Sequence, residues 1–156
     1  MNALSQLSRS DKITGAAAIL LLIGLIAFPW YYVGIAGFTL DGQTFGGASY
    51  SASALQADGA WAGVLALIVV IALLAELVVT RFTQVELPQL PLSWRAAERY
   101  AAIAVLALLM IKILTHIGNF GWGFYVDMVL ALALVYGAIG LGGRAPTRSA
   151  GTRARV

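Results

Sequence analysis

Residues 13–33 carry no charge, a stretch of about 21 residues that matches the hydrocarbon core of a bilayer at a helical rise of ~1.5 Å per residue. Three further apolar runs follow over 61–80, 100–117 and 124–141, interrupted by no ionisable side chain except Glu76, Lys112, His116 and Asp127. Of the 156 residues, 60% are apolar and 11% charged, too little polar cover for a soluble fold of this size. The pattern predicts an all-α membrane protein: a four-transmembrane-helix bundle forming one domain over 1–143, then a basic disordered tail over 144–156 with four arginines. A signal peptide competes for the first run, because Arg9 and Lys12 precede it. The run is too long for that, and no small-x-small cleavage site follows it directly.

Charge placement predicts the orientation. Nine of the ten Lys and Arg residues fall in the N-terminal tail, the 81–99 loop or the C-terminal tail, and none falls in 34–60 or 117–124. By the positive-inside rule both termini are cytoplasmic and 34–60 lies outside, in a multi-pass protein of a bacterial cytoplasmic membrane. The basic tail is expected to be drawn to anionic lipid at the cytoplasmic face, at ~1 kcal/mol per basic residue near the surface. Trp30, Trp61 and Trp122 read as outer interfacial anchors and Trp94 as an inner one. Pro29 kinks or ends the first helix.

Turn and cap signals divide the rest. Asp41-Gly42 lies between Phe38-Thr-Leu and Gln-Thr-Phe45, the signal for a two-residue β-hairpin turn, with a plain glycine-rich loop as the alternative. Asp58 or Gly59 is placed to cap the second helix, and Ser93 a helix beginning at Trp94. Pro88 and Pro91 keep the inner loop extended. Gly118, Asn119, Gly121 and Gly123 break the chain into a tight turn between the third and fourth runs.

The composition excludes several chemistries. With no cysteine there is no disulfide, thiolate zinc site or thiol redox centre, and the single His116 cannot supply a bis-histidine haem. Phosphate-cradling, nucleophile-elbow and zinc-protease motifs are missing, so no cofactor, no metal, no nucleic-acid partner and no enzyme activity are expected. What chemistry remains is Lys112, His116 and Asp127. The point midway between Lys112 and Asp127 falls between Asn119 and Phe120, inside the turn and about seven and a half residues from each, so an antiparallel hairpin sets them at similar depth. His116 shares a helix face with Lys112. Three readings stay open: an intramembrane ion pair locking two helices, a site for a lipid headgroup or other anionic ligand, and a proton or ion relay. Glu76, about one turn before Arg81, is a secondary polar site near a helix end. Gly59-x-x-x-Gly63 and Gly137-x-x-Gly140 invite a helix-packing reading.

The exit of the first run, Ile26-Ala-Phe-Pro29-Trp30-Tyr31-Tyr32, resembles the Phe-Leu-Pro-Trp-Tyr exit of small four-helix membrane proteins of actinobacteria. The glycine-rich outer segment, the Ser-Ala lead into the second run and the arginine-rich tail are similar to that group as well. The resemblance implies the layout and no functional residue. Claudin-like tetraspan proteins share the topology, but their paired cysteines are missing here. The functional expectation is a non-catalytic accessory, scaffold or assembly subunit of a membrane or envelope complex, partnered by another membrane protein or by further copies of itself. A small oligomeric transporter or channel using Lys112 and Asp127 is the alternative.

Overall fold

The computed structural model describes residues 7–82, 93–115 and 117–140. It contains four helices, α1 (Arg9–Ala27), α2 (Ala60–Phe82), α3 (Trp94–Thr115) and α4 (Trp122–Ile139). Between α1 and α2 come four short strands, β1 (Tyr31–Ile35), β2 (Phe38–Leu40), β3 (Gln43–Phe45) and β4 (Ala48–Ala52). Each helix packs on its sequence neighbours and α4 closes the ring onto α1, with α1–α4 and α2–α3 the most intimate pairs. The core is filled by Leu21, Leu25, Val70, Val105, Leu109 and Leu134. Three helices, Arg9–Ala27, Ala60–Thr80 and Trp122–Ile139, are long and apolar enough to cross a membrane. In α3, Arg95, Glu98, Arg99 and Lys112 bracket a shorter apolar stretch. Large aliphatic side chains also cover the outside of the ring, among them Ile23, Ile68, Ile103 and Val129, as fits a protein whose solvent is lipid.

The first helix begins and ends earlier than the uncharged run. Ser8 and Asp11 form a reciprocal capping box, Asp11 N–H donating to Ser8 Oγ at 3.1 Å and Ser8 N–H to Asp11 Oδ2 at 3.2 Å. At the other end the Phe28 amide donates to Gly24 O at 2.9 Å, and Pro29 has no amide with which to continue. The chain then enters β1, so 28–33 is strand and approach rather than helix. Ser93 caps α3 as its position implies, its Oγ accepting from Ala96 N–H at 3.3 Å, and the helix runs unbroken from the loop into the apolar stretch. Gly140 ends α4 at φ +76°, its amide donating to Gly137 O at 2.9 Å. The inner-loop prolines, His116 and the 144–156 tail lie outside the described residues.

The hairpin forms in two antiparallel segments, β1 with β4 and β2 with β3. Asp41 and Gly42 take φ +50° and +77°, the pair of positive values that a two-residue turn matched to strand twist requires. Between the segments a side-chain carbon on Gly37 would press on the Gly46 carbonyl at 3.1 Å, and Gly46 and Gly47 take φ +76° and +87°, which side chains disfavour.

Glycines also set how closely α1 meets α4. A methyl group on Gly24 would overlap Asp127 Oδ1, and one on Gly137 would meet the Thr14 backbone at 2.9 Å. At the same end the Ser10 hydroxyl donates to Gly137 O. Gly63 approaches the backbone of Ala54, and Gly59, at φ +71°, approaches the Thr115 side chain. The small-residue reading of both motifs therefore has a structural counterpart at Gly59, Gly63 and Gly137, although Gly63 packs on a loop rather than on another helix. Gly24→Ala is expected to destabilise the protein by about 1–3 kcal/mol through overpacking. Gly34→Ala, where the added carbon meets nothing within 4 Å, should leave the thermal midpoint in detergent unchanged. Equal midpoints for the two variants would refute this account of the α1–α4 contact.

Candidate functional site

Lys112 and Asp127 are both wholly buried, at 0% exposure, on the α3 and α4 faces that converge beneath the hairpin. They do not pair with each other. Lys112 Nζ donates to the main-chain carbonyls of Gln56 and Asp58, each at 3.1 Å, in the lead between β4 and α2. Its ammonium also lies 5.3 Å from the centroid of the Tyr31 ring and 5.9 Å from that of Trp30. Asp127 Oδ2 accepts the indole N–H of Trp30 at 2.6 Å, a short hydrogen bond. Its Oδ1, pressed against Gly24, has no hydrogen-bond partner among the described residues.

The ion pair read from matched depth is thus replaced by separate partners, two main-chain carbonyls for Lys112 and the Trp30 indole for Asp127. Depth along antiparallel helices is only one coordinate. Rotation about each axis, set here by the glycine contacts of α4 with α1, turns Asp127 toward the end of α1 instead. Trp30 itself is corrected. Expected at the interface, it is wholly buried, because an indole N–H needs an acceptor and Asp127 supplies one inside the bundle. Trp61 and Trp122 are about half exposed, at 55% and 51%, and Trp94 is partly buried. Glu76 is partly buried near the end of α2, where its carbonyl accepts from Thr80 Oγ1 at 2.8 Å.

The two buried charges hold the two feet of the hairpin. The incoming foot is Pro29-Trp30-Tyr31. The Trp30 amide donates to Ala52 O at 2.8 Å, joining it to the outgoing foot. Its carbonyl accepts from Gly121 N–H at 2.7 Å, the Tyr32 amide donates to Asn119 O at 2.9 Å, and the Gly123 amide donates to Pro29 O at 3.1 Å. Tyr31 and Phe120 form an antiparallel bridge. The α3–α4 turn is therefore more than a helix break. It lies beside β1 as a short third strand, with Asn119 at φ +48° and Gly118 at φ +145° to bring it there. Gly121 and Gly123 admit that approach, since a side-chain carbon at either would collide with Pro29 O or Phe28. Phe120, Phe124, Trp30 and Tyr31 stack around the junction, with ring centroids 4.5 to 6.3 Å apart. The sequence held one unread signal for this: Pro29 leaves the Trp30 indole just past a helix end, where it can meet an acid from a neighbouring helix.

Among the described residues no cluster of His, Asp and Glu could hold a metal ion. Beyond the feet the hairpin turns outward. An open hollow lined by Tyr32, Gly34, Asn119 and Phe120 lies where the third strand leaves β1. No family model matches the chain, and no similar protein was found among curated proteins or solved structures.

Two measurements check the site. A double-mutant cycle of Trp30→Phe with Asp127→Ala should show about 1.5–3 kcal/mol of coupling, the range for hydrogen bonds to charged groups. The cycle of Lys112→Met with Asp127→Ala should couple by less than about 0.5 kcal/mol. Stronger coupling in the second cycle would restore the ion pair. Burial, and then the negative charge of Asp58, push the Tyr31 phenol above its ordinary pKa of 10.0. A neutral phenol is therefore favoured in the folded state, and stability falls as pH rises past the unfolded value. In an alkaline absorbance titration, Tyr31→Phe should delete a component that ionises above pH 10.0.

Proposed function

We propose that this is a non-catalytic, multi-pass protein of a bacterial cytoplasmic membrane, an accessory, scaffold or assembly subunit that presents its hairpin to another membrane or envelope protein. The observation that carries the reading is the hairpin's apolar exposure. Ile35, Phe38, Leu40 and Tyr50 are 64%, 64%, 61% and 57% exposed, on a segment whose two feet are fixed by buried bonds. Exposed apolar area of this kind, held away from the protein's own core, marks an interaction surface. Asp41 is the one charged residue between positions 31 and 52, so charge does little to keep these apolar side chains in water.

On this reading all four helices cross the bilayer, α3 included. Its Lys112 stands near the hairpin end of the bundle with its charge met by two carbonyls, which removes much of the penalty of placing it there. Arg9, Lys12, Arg95 and Arg99 gather at the opposite end, where α1 and α3 begin and Arg99 Nε donates to Ala138 O at 3.4 Å. The positive-inside rule then makes that end and both termini cytoplasmic, against anionic lipid, and puts the hairpin outside. A small oligomeric transporter or channel is the second reading, favoured by the buried Asp127 Oδ1 that no donor among the described residues satisfies.

Because the chain has no cysteine, Gln43→Cys gives a single label at the hairpin turn. It should react with an impermeant maleimide on intact cells; labelling only after lysis would reverse the orientation. Mild-detergent purification at native expression followed by native mass spectrometry should recover a different protein in fixed ratio. The Phe38→Ser/Leu40→Ser double variant should lose it while keeping its thermal midpoint. Recovery of this chain alone, with liposome flux abolished by Asp127→Asn, would favour the second reading.

A further inference from the structure

We infer that the partner is held by strand addition, an extended and uncharged segment of its chain pairing with the outer edge of β1 beside Gly34. The inference rests on the docking-subunit reading and deepens it. β1 uses its two edges differently. Tyr31, Val33 and Ile35 face Ala52, Tyr50 and Ala48 in register on β4. The Tyr32 amide points the other way, to Asn119 O, so the two-residue alternation of a strand points the amide and carbonyl of Gly34 along that same outer edge.

That edge already accepts a strand. The 119–121 turn pairs with its first part through the Trp30 carbonyl and the Tyr32 amide. Then the ladder stops: Asn119 and Gly118, both at positive φ, carry the chain away toward α3, and among the described residues no main-chain bond from Gly34 crosses to it. The hollow lined by Tyr32, Gly34, Asn119 and Phe120 opens at this point of departure. An incoming segment seated in it continues the interrupted ladder on the Tyr32 carbonyl and on the amide and carbonyl of Gly34. Gly34 offers no side chain to obstruct that approach, and an added carbon there would meet nothing within 4 Å.

The faces flanking the edge describe the segment. Val33, Ile35 and Tyr50 lie on one face, with the last two largely exposed, while Ser49 and Ser51 share the other with Tyr32. Alternating apolar and small polar residues suit these two faces, and the absence of charge along β1 and β4 gives a charged segment nothing to pair with.

The test is residue-resolved amide hydrogen exchange on the full chain in two settings: the complex from native membranes, and the chain alone in nanodiscs of phosphatidylethanolamine and phosphatidylglycerol. The Gly34 amide should exchange at least ~100-fold more slowly in the complex, while the Val33 and Ile35 amides are protected in both. Gly34→Pro, which removes one outward amide from an edge position that tolerates proline, should weaken partner retention at least ~10-fold without shifting the thermal midpoint. Gly34→Ala should retain the partner. A recovered partner with Gly34 still in fast exchange overturns strand addition and leaves the docking reading standing. Protection of Gly34 in the nanodisc sample gives the edge to lipid or to a second copy, and overturns the proposal. Failure to recover any partner overturns the docking reading itself.

Discussion

The Trp30–Asp127 hydrogen bond is the contact on which the arrangement above the bundle depends. A carboxylate buried among apolar helices is costly unless something donates to it. Here the donor is an indole carried just past a helix end. Pro29 stops α1, so Trp30 leaves the helical path and reaches Asp127 on α4. Once Trp30 is placed, its main chain joins Ala52 on one side and Gly121 on the other. Lys112 completes the arrangement from α3 by gathering the carbonyls of Gln56 and Asp58. Each buried charge is answered by the loop above it, and the loop is held by answering it.

This division of labour follows from helices that are apolar nearly all round. In water, an amphipathic stripe tells a helix which face to bury. In lipid the stripe has little force, because hydrocarbon tails are as apolar as leucine, and helices are oriented by close packing and by scarce polar groups. The α1–α4 contact shows both. Gly24 and Gly137 let the backbones approach, and Asp127 and the Ser10 hydroxyl supply directional bonds at opposite ends of the same interface. α2 contributes less polar chemistry, and its Gly63 receives the Ala54 backbone of the loop instead of a neighbouring helix.

The same physics explains what could be read from the sequence. Apolar run length is a one-dimensional property, so the four helices were legible, as were the Asp41-Gly42 turn and the Ser93 cap, whose signals are local. The Ser8–Asp11 capping box was equally local and was passed over, because the uncharged run drew the boundary at position 13 while the helix begins at Arg9. The ends of α1 were misplaced for the complementary reason: residues 28–33 are apolar enough for lipid, yet Pro29 and the pairing of Tyr31 and Tyr32 take them out of the helix. For the site, sequence spacing identified Lys112 and Asp127 and their common depth. It could not supply the rotation of α3 and α4 about their axes. That rotation decides that the two charges meet Trp30 and two carbonyls rather than each other. Trp30 was misjudged because burial of a tryptophan depends on an acceptor nearly a hundred residues away.

A hairpin with so much exposed apolar surface would be a liability if its feet were loose. Two-stranded ribbons are marginal by themselves, and open edges invite non-specific pairing. The bonds to Trp30, Ala52, Gly121 and Asn119 change that balance by fixing the first residues of the ribbon to helices. In the proposed docking role, a preformed edge costs less conformational freedom on binding than a segment that must order itself.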